Sequence, residues 1–331
     1  MKKTLMSVAE ARELISAGRP LMLAGAEPLL RSLPKGNGVG GTIPYFMSDE
    51  GGVPTAERVF VTSFPDYCET GKVKLYTPKE LSKIPGDAPA HGVSFIILPG
   101  ATEVHSTYAR DCSSWPGLFD HPLLGWIAGV DLKDLATVTP KVFDGSTGEV
   151  SENAAALLHL PLPATIDADV SIINLFEAGE GDALTFMKSG FDAVDAFVNG
   201  KQRNFAEYLA EVNADSRWPL VANYSGAKIN VSFQNIDAAN KTVVFFAPVF
   251  EGVEYKLAKP QTDYTKRFEA ELLSRNVKPV FTCNCILNYL YAELEGKRTG
   301  DAVGPMTFGE VAWMLLNQTM VYVTLKDAPK A

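Results

Sequence analysis

Gly36-Asn37-Gly38-Val39-Gly40-Gly41 runs straight into Thr42-Ile43-Pro44-Tyr45-Phe46-Met47. The first six residues satisfy G-x-G-x-x-G, the dinucleotide fingerprint. That fingerprint works only where a strand feeds a tight glycine turn and the turn opens a helix whose N-terminus holds the pyrophosphate. Here the glycines lead into β-branched and aromatic residues with a proline third in line, which is an extended segment. Upstream, residues 27–33 have the character of a short helix instead of the required strand. The acidic residue expected ~20 positions further on falls near the apolar Val61. The flanks therefore exclude a Rossmann unit. The glycines are instead expected to permit a positive φ or a close backbone approach at the start of a strand.

Working outward, the chain alternates strand-like runs with capped helices. Strands are expected at 21–24, 39–47, 58–64, 72–76, 93–98, 124–130, 138–143 and 170–176, then at 220–224, 228–233, 242–250, 253–257, 277–283 and 320–325. Several are continuous apolar runs bounded by Gly, Pro or Asp, as in strands buried on both faces. Residues 247–257 suggest a hairpin around Glu251-Gly252. Helices are expected at 8–17, 78–83, 204–213, 266–275, 285–294 and 308–317. Four of them begin with a polar cap and a carboxylate three residues on: Ser7 with Glu10, Thr77 with Glu80, Asn204 with Glu207, and Thr307 with Glu310. The mixture predicts an α/β to α+β fold: two closely packed halves, 1–160 and 161–331, with mixed β-sheets flanked by helices. The seam is placed at Leu160-Pro161-Leu162-Pro163.

The 331 residues are 46% hydrophobic, enough for a sizeable core without staples. A net charge of −9 disfavours nucleic acid and anionic membrane surfaces as partners. Four scattered cysteines, Cys68, Cys112, Cys283 and Cys285, form no disulfide framework. Charged residues follow too soon after the N-terminus for a signal segment, and no apolar run approaches the ~18 residues of a spanning helix. The expectation is a cytoplasmic protein that needs no metal or other cofactor.

Three constellations carry potential chemistry. Cys283-Asn284-Cys285 is placed where a buried strand meets a helix, with Asn284 as N-cap and Cys285 at the first helical position. The helix dipole there would lower a thiol pKa. The competing reading is two small core residues, and a lone C-x-C has no zinc spacing. Glu310 is either a buried carboxylate awaiting an amine or the far half of a capping box. On a helix over 105–112, His105, Tyr108, Ala109 and Cys112 share one face. His105 and Cys112 would lie ~10 Å apart there, too far for a nucleophile–base pair. His91, His121 and His159 read as local hydrogen-bonding residues.

The C-terminal stretch resembles the end of FIST domains. It runs from Pro279-Val280-Phe281-Thr282-Cys283 through Gly304-Pro305-Met306-Thr307-Phe308-Gly309-Glu310 to Asn317-Gln318-Thr319. Val249-Phe250-Glu251-Gly252-Val253-Glu254-Tyr255 is similar to the hairpin of that domain. Val39-Gly40-Gly41-Thr42-Ile43-Pro44-Tyr45 and Val142-Phe143-Asp144-Gly145 with Gly148 are similar to parts of its N-terminal half. The resemblance implies a stand-alone sensory protein without a fused output domain. It would bind an amino acid or another small metabolite between its halves and act on a signalling partner in trans. The contacts expected on that reading are Gly40, Gly41, Thr42, Tyr45, His105, Tyr108, Asn223, Tyr224, Cys283, Asn284, Cys285 and Asn288. Two alternatives stand beside it: a protein-interaction scaffold, and an enzyme using Cys283 or Cys285 as nucleophile in the same pocket.

Overall fold

In the computed structural model, which describes residues 2–68, 70–224 and 227–328, the glycine run becomes the buried strand Gly38–Thr42. Leu21–Gly25 pairs with it in parallel and Val142–Asp144 antiparallel. None of its glycines adopts a left-handed φ. Close approach is what demands them. A Cβ on Gly41 would stand 2.6 Å from both Ile97 Cγ2 and Trp126 Cη2, side chains of a neighbouring sheet. The single strand expected over 39–47 is broken at Ile43-Pro44, because Pro44 has no N–H to give a ladder. Tyr45–Ser48 crosses into another sheet and pairs with Gly51–Pro54 and Gly304–Thr307.

The architecture is α+β, with five mixed or antiparallel sheets among the described residues. The first sheet holds the glycine strand. In the second, Gly92–Pro99 pairs with Leu123–Ala128 in parallel and with Ala155–Pro161 antiparallel. Glu310–Ala312, from the other end of the chain, extends this sheet at Leu123–Ala128. In the third, Phe281–Cys285 lies between Met320–Asp327 and Gly304–Thr307. Strand pairing thus crosses position 160 in both directions, and the main core joins Phe46, Phe95 and Trp126 to Phe281, Cys283 and Met306. Residues 184–257 supply the other two sheets and a separate aromatic core of Phe186, Phe205, Phe233, Phe245 and Tyr255.

The capped helices form where expected at three of four sites. Ser7 and Glu10 make a complete capping box at Val8–Ser16, and Thr77 with Glu80 does so at a 3₁₀ turn, Pro78–Lys83. Asn204 accepts from Glu207 N–H ahead of Phe205–Glu211. The fourth site departs from expectation: residues 308–317 are a hairpin of Glu310–Ala312 and Met314–Leu316, with Trp313 left-handed at its turn. The pairing of Glu310–Ala312 with Leu123–Ala128 outweighs the local capping signal. Residues 247–257 are not a hairpin either, since Thr242–Val249 and Tyr255–Leu257 enter different sheets. The strand expected at 277–283 runs Phe281–Cys285, so Cys285, not Asn284, is the N-cap of the helix Ile286–Tyr291.

Glu310 is fully buried, and no Lys, Arg or His of the described residues pairs with it. Its carboxyl accepts hydrogen bonds from Thr319 N–H at 3.2 Å, Thr319 Oγ1 at 2.8 Å and Thr307 Oγ1 at 3.3 Å. Burial pushes it up to about 8 despite these bonds.

Two predictions follow from this packing. Gly41→Ala should destabilise by ~1–3 kcal/mol through overpacking. Gly40→Ala should cost clearly less, since its nearest contact would be 3.4 Å away. Equal urea midpoints would refute the close-approach argument. Glu310 sets a pH dependence. The folded state keeps a proton that the unfolded chain releases between about 4.5 and about 8. Its stabilising contribution is therefore complete below 4.5 and is lost as pH rises through 8. His105 and His159, lowered to about 4 by burial, act with the opposite sign only up to about 6.5. Between pH 6.5 and 8, wild type should lose stability relative to Glu310→Gln by up to ~1 kcal/mol per pH unit. Parallel urea-denaturation curves would show the carboxyl already ionised.

Candidate functional site

The strand Gly92–Pro99 is buried along its whole length and ends against Gly100 and Ala101. Ala101 takes a left-handed φ of 57°, turning the chain sharply. Thr102 then caps the helix Glu103–Asp111: its hydroxyl donates to Pro99 O at 2.6 Å and accepts from His105 N–H. One turn in, the His105 ring folds back over the terminus, where its Nδ1 accepts from Ala101 N–H at 3.2 Å. A backbone N–H can only donate, so Nδ1 is the unprotonated nitrogen and Nε2 carries the hydrogen in the neutral ring. Nε2 is buried, with almost no surface open to water, and has no hydrogen-bond partner among the described residues.

His105 stands in the wall of a cavity of about 760 Å³. Gly100, Ala101, Thr102 and Ser106 line it beside His105, with Ile127 behind them and Leu132 and Leu135 on a following loop. Phe191, Phe233, Phe245 and Phe246 come from the 184–257 unit, and Ile286, Leu287, Leu290 and Tyr291 from one face of the short helix after Cys285. Phe308 and the exposed Gln234 complete the set. The cavity therefore lies where three parts of the chain meet, and its size falls in the ~300–1,000 Å³ range of small-molecule sites. Among the described residues no Asp, Glu, Lys or Arg lines it. Leu135 and Leu290, 51% and 38% exposed, mark its rim toward solvent. The His105 ring meets Phe191 edge-on, centroids 6.3 Å apart.

Across the helix Ile286–Tyr291 lies a second cavity of about 500 Å³, lined by Trp218, Tyr264, Asn288, Gln318 and the charged Asp263, Lys266, Glu293 and Lys297 among others. Tyr291 borders both. Gln261 Oε1 is the unpartnered atom there, but it belongs to a partly exposed loop side chain that can rotate toward water. The larger cavity, with an apolar wall gathered from three parts of the chain, is the stronger site.

The structure scatters the residues singled out from sequence. His105 lines the larger cavity and Asn288 the smaller one. Gly40, Gly41 and Thr42 are interior strand residues, with Thr42 Oγ1 accepting from Lys141 N–H. The Tyr45 hydroxyl accepts from Leu132 N–H at 3.1 Å and so holds the loop that carries two wall residues. Tyr108 donates to Trp313 O at 2.6 Å and belongs to the core behind the helix. Asn223 and Tyr224 lie on the strand Leu220–Tyr224 and line neither cavity; Tyr224 meets Tyr255 hydroxyl to hydroxyl. Cys283, Asn284 and Cys285 sit one layer behind the wall formed by Ile286 and Leu287. Cys283 Sγ donates to Gly125 O, and Asn284 Oδ1 accepts from Cys285 N–H and Asn288 Nδ2.

The thiols do not behave as a reactive pair would. Burial and the nearby Glu310 hold both Cys283 and Cys285 well above the ordinary thiol range, the reverse of the lowering expected at a helix start. All four cysteines are buried and free. His159 is as deeply buried as His105 but fully partnered: Ser94 Oγ lies 2.8 Å from Nδ1 and Tyr76 Oη 2.8 Å from Nε2, with Tyr76 donating onward to Asp87. No group of His, Cys, Asp and Glu suited to a metal occurs among the described residues, and no helix there is long and apolar enough to cross a membrane. Sequence reasoning missed the cavity's phenylalanines, Ile286, Leu287 and Leu290, because apolar wall residues carry the same local signal as core residues.

No curated protein matches this chain. A family model, described as a family of unknown function, DUF6976, matches residues 6–326, on both sides of position 160. With nearly its whole length matched, the chain belongs to that family.

Proposed function

We propose that this protein is a cytoplasmic small-molecule-binding protein whose ligand occupies the cavity between His105, the phenylalanines of the 184–257 unit and the helix Ile286–Tyr291. The observation that carries the reading is a ligand-sized, largely apolar cavity where three separate parts of the chain meet. The position supports a sensory role of the kind the FIST resemblance implies. The wall combines three separate parts of the chain, so a ligand would clamp the 184–257 unit against the rest. Occupancy would then be read by a signalling partner in trans. For the scaffold alternative, Leu135 and Leu290 are rim residues of this cavity, whereas Phe119 and Leu273, 59% and 80% exposed, lie outside both cavities. Against the cysteine-nucleophile alternative, both thiols are raised well above the ordinary range, and among the described residues no histidine hydrogen-bonds either.

The test is a thermal-shift and native mass-spectrometry screen against a metabolite library. A true ligand at 100 times its Kd should add ~2.7 kcal/mol of stability. Leu290→Trp, which places an indole at the rim, should leave the free protein's Tm nearly unchanged and abolish the ligand's shift. A library without a stabilising compound, or a shift that survives Leu290→Trp, would remove the cavity from consideration.

A further inference from the structure

Resting on the reading that the larger cavity binds a ligand, we infer that residues 133–139 are its lid: they fold Leu135 across the mouth toward Leu290 once a ligand is inside. Where this loop is tied down, where it is free and what it leaves exposed all point the same way.

Both ends of the loop are fixed at one residue of the glycine strand. Gly129 N–H donates to Thr42 O at 2.8 Å, and Thr42 N–H donates to Lys141 O at 2.9 Å. Lys141 N–H returns a bond to Thr42 Oγ1 at 2.9 Å, and its ammonium is held by Glu27 and Glu152. Residues 130–140 thus form a surface loop closed at its base, the geometry of an Ω-loop. The first part of the loop is fixed as well. The Tyr45 hydroxyl accepts from Leu132 N–H and lies 3.4 Å from Asp131 Oδ1, and Leu132 packs against the main core. Past Leu132 the ties to the rest of the molecule stop. Asp134 N–H bonds back to Asp131 O, Thr137 and Val138 N–H bond back to Asp134 O, and Lys133 pairs with Asp131. Among the described residues, 133–139 make no hydrogen bond or ion pair outside 131–141. A segment bonded only to itself and hinged at a firm base opens and closes at small free-energy cost, as lids do.

The exposed side chains give the direction of closure. Leu135 and Val138 are apolar yet 51% and 39% exposed. Leu135 lines the cavity from this free loop, and Leu290, also partly exposed, lines it from the helix Ile286–Tyr291. Bringing the two leucines together over an apolar ligand takes surface of both out of water. Without a ligand a closed lid would span an empty space and find no atoms to pack against on its inner side. The open form is therefore the resting one.

The experiment uses the full-length protein and N-phenyl-1-naphthylamine, an uncharged apolar dye that brightens out of water. Bound dye should slow hydrogen exchange at the backbone amides of 133–139. Dye release is followed by stopped-flow fluorescence. Leu135→Ser and Leu290→Ser should each speed release roughly 3- to 10-fold, the yield of losing about half of one leucine's burial. The double variant should be little faster than either single one, because each change alone already breaks the shared contact. In the free protein, where the lid is open, the effects of the two changes on urea stability should simply add. Unchanged exchange over 133–139 with dye bound, or release effects that multiply in the double variant, would overturn the lid. If Leu290→Trp still blocks the dye in that case, the cavity reading stands. Should the serine variants fail to fold, the exchange comparison on the wild-type protein decides alone. If the dye does not bind, exchange is measured with whichever library compound gives the Leu290→Trp-sensitive shift, and the same outcomes apply. If neither the dye nor any library compound binds, the cavity reading fails and the lid fails with it.

Discussion

The absence of a side chain at Gly41 sets the distance between two sheets, and the rest of the molecule is arranged around that distance. With Ile97 and Trp126 packed against the bare Cα, the strand Gly92–Pro99 comes close beneath the glycine strand. That same strand ends at Gly100 and Ala101, where the cavity begins. A Cβ at 41 would push on the two strands whose far ends carry Gly100, Ala101 and Ile127. The packing constraint and the candidate site are linked through rigid strands, which transmit displacement because protein interiors have little free volume.

Much of the architecture is legible in local patterns, and the reasons for the exceptions are physical. Strands such as Leu21–Gly25, Val59–Ser63 and Met320–Asp327 carry continuous apolar runs, and Ser7, Thr77 and Asn204 announce their helical segments by cap chemistry. Thr307-Phe308-Gly309-Glu310 presents the same local chemistry and yet begins a hairpin. Its Glu310 side chain turns to Thr319 and Thr307, and its backbone pairs with residues nearly two hundred positions earlier. A capping signal is worth ~1 kcal/mol, less than a full strand's pairing and burial. The break at Pro44 could be expected from the missing N–H, but the destination of Tyr45–Ser48, beside Gly304–Thr307, depends on a pairing no local pattern encodes.

The site is less legible than the fold. His105 is visible from sequence as a polar residue on a helix following a buried strand. The walls are not, since Phe233, Phe245 and Leu287 look like core residues and become cavity residues only because of what they face. Asn223 and Tyr224, on the strand Leu220–Tyr224, line neither cavity. The C-x-C motif falls between these cases: Cys285 caps the very helix that separates the two cavities, yet its thiol is held protonated by burial and by Glu310.

The two buried histidines sharpen what distinguishes a structural polar group from a functional one in this fold. Both rest in strongly desolvating surroundings, and both are lowered to about 4. Burial and pKa alone therefore separate nothing. His159 sits in a directed chain that ends at Asp87, so its polar atoms are compensated whether or not a ligand exists. His105 has one nitrogen compensated by the turn at Ala101 and the other without a partner among the described residues, in a side chain that lines the larger cavity. Ala101 is held in a left-handed conformation that an alanine adopts at a cost, and the N–H it presents is what fixes the tautomer of His105. The turn thus does two things together: it ends the central strand, and it fixes the tautomer of a histidine in the cavity wall.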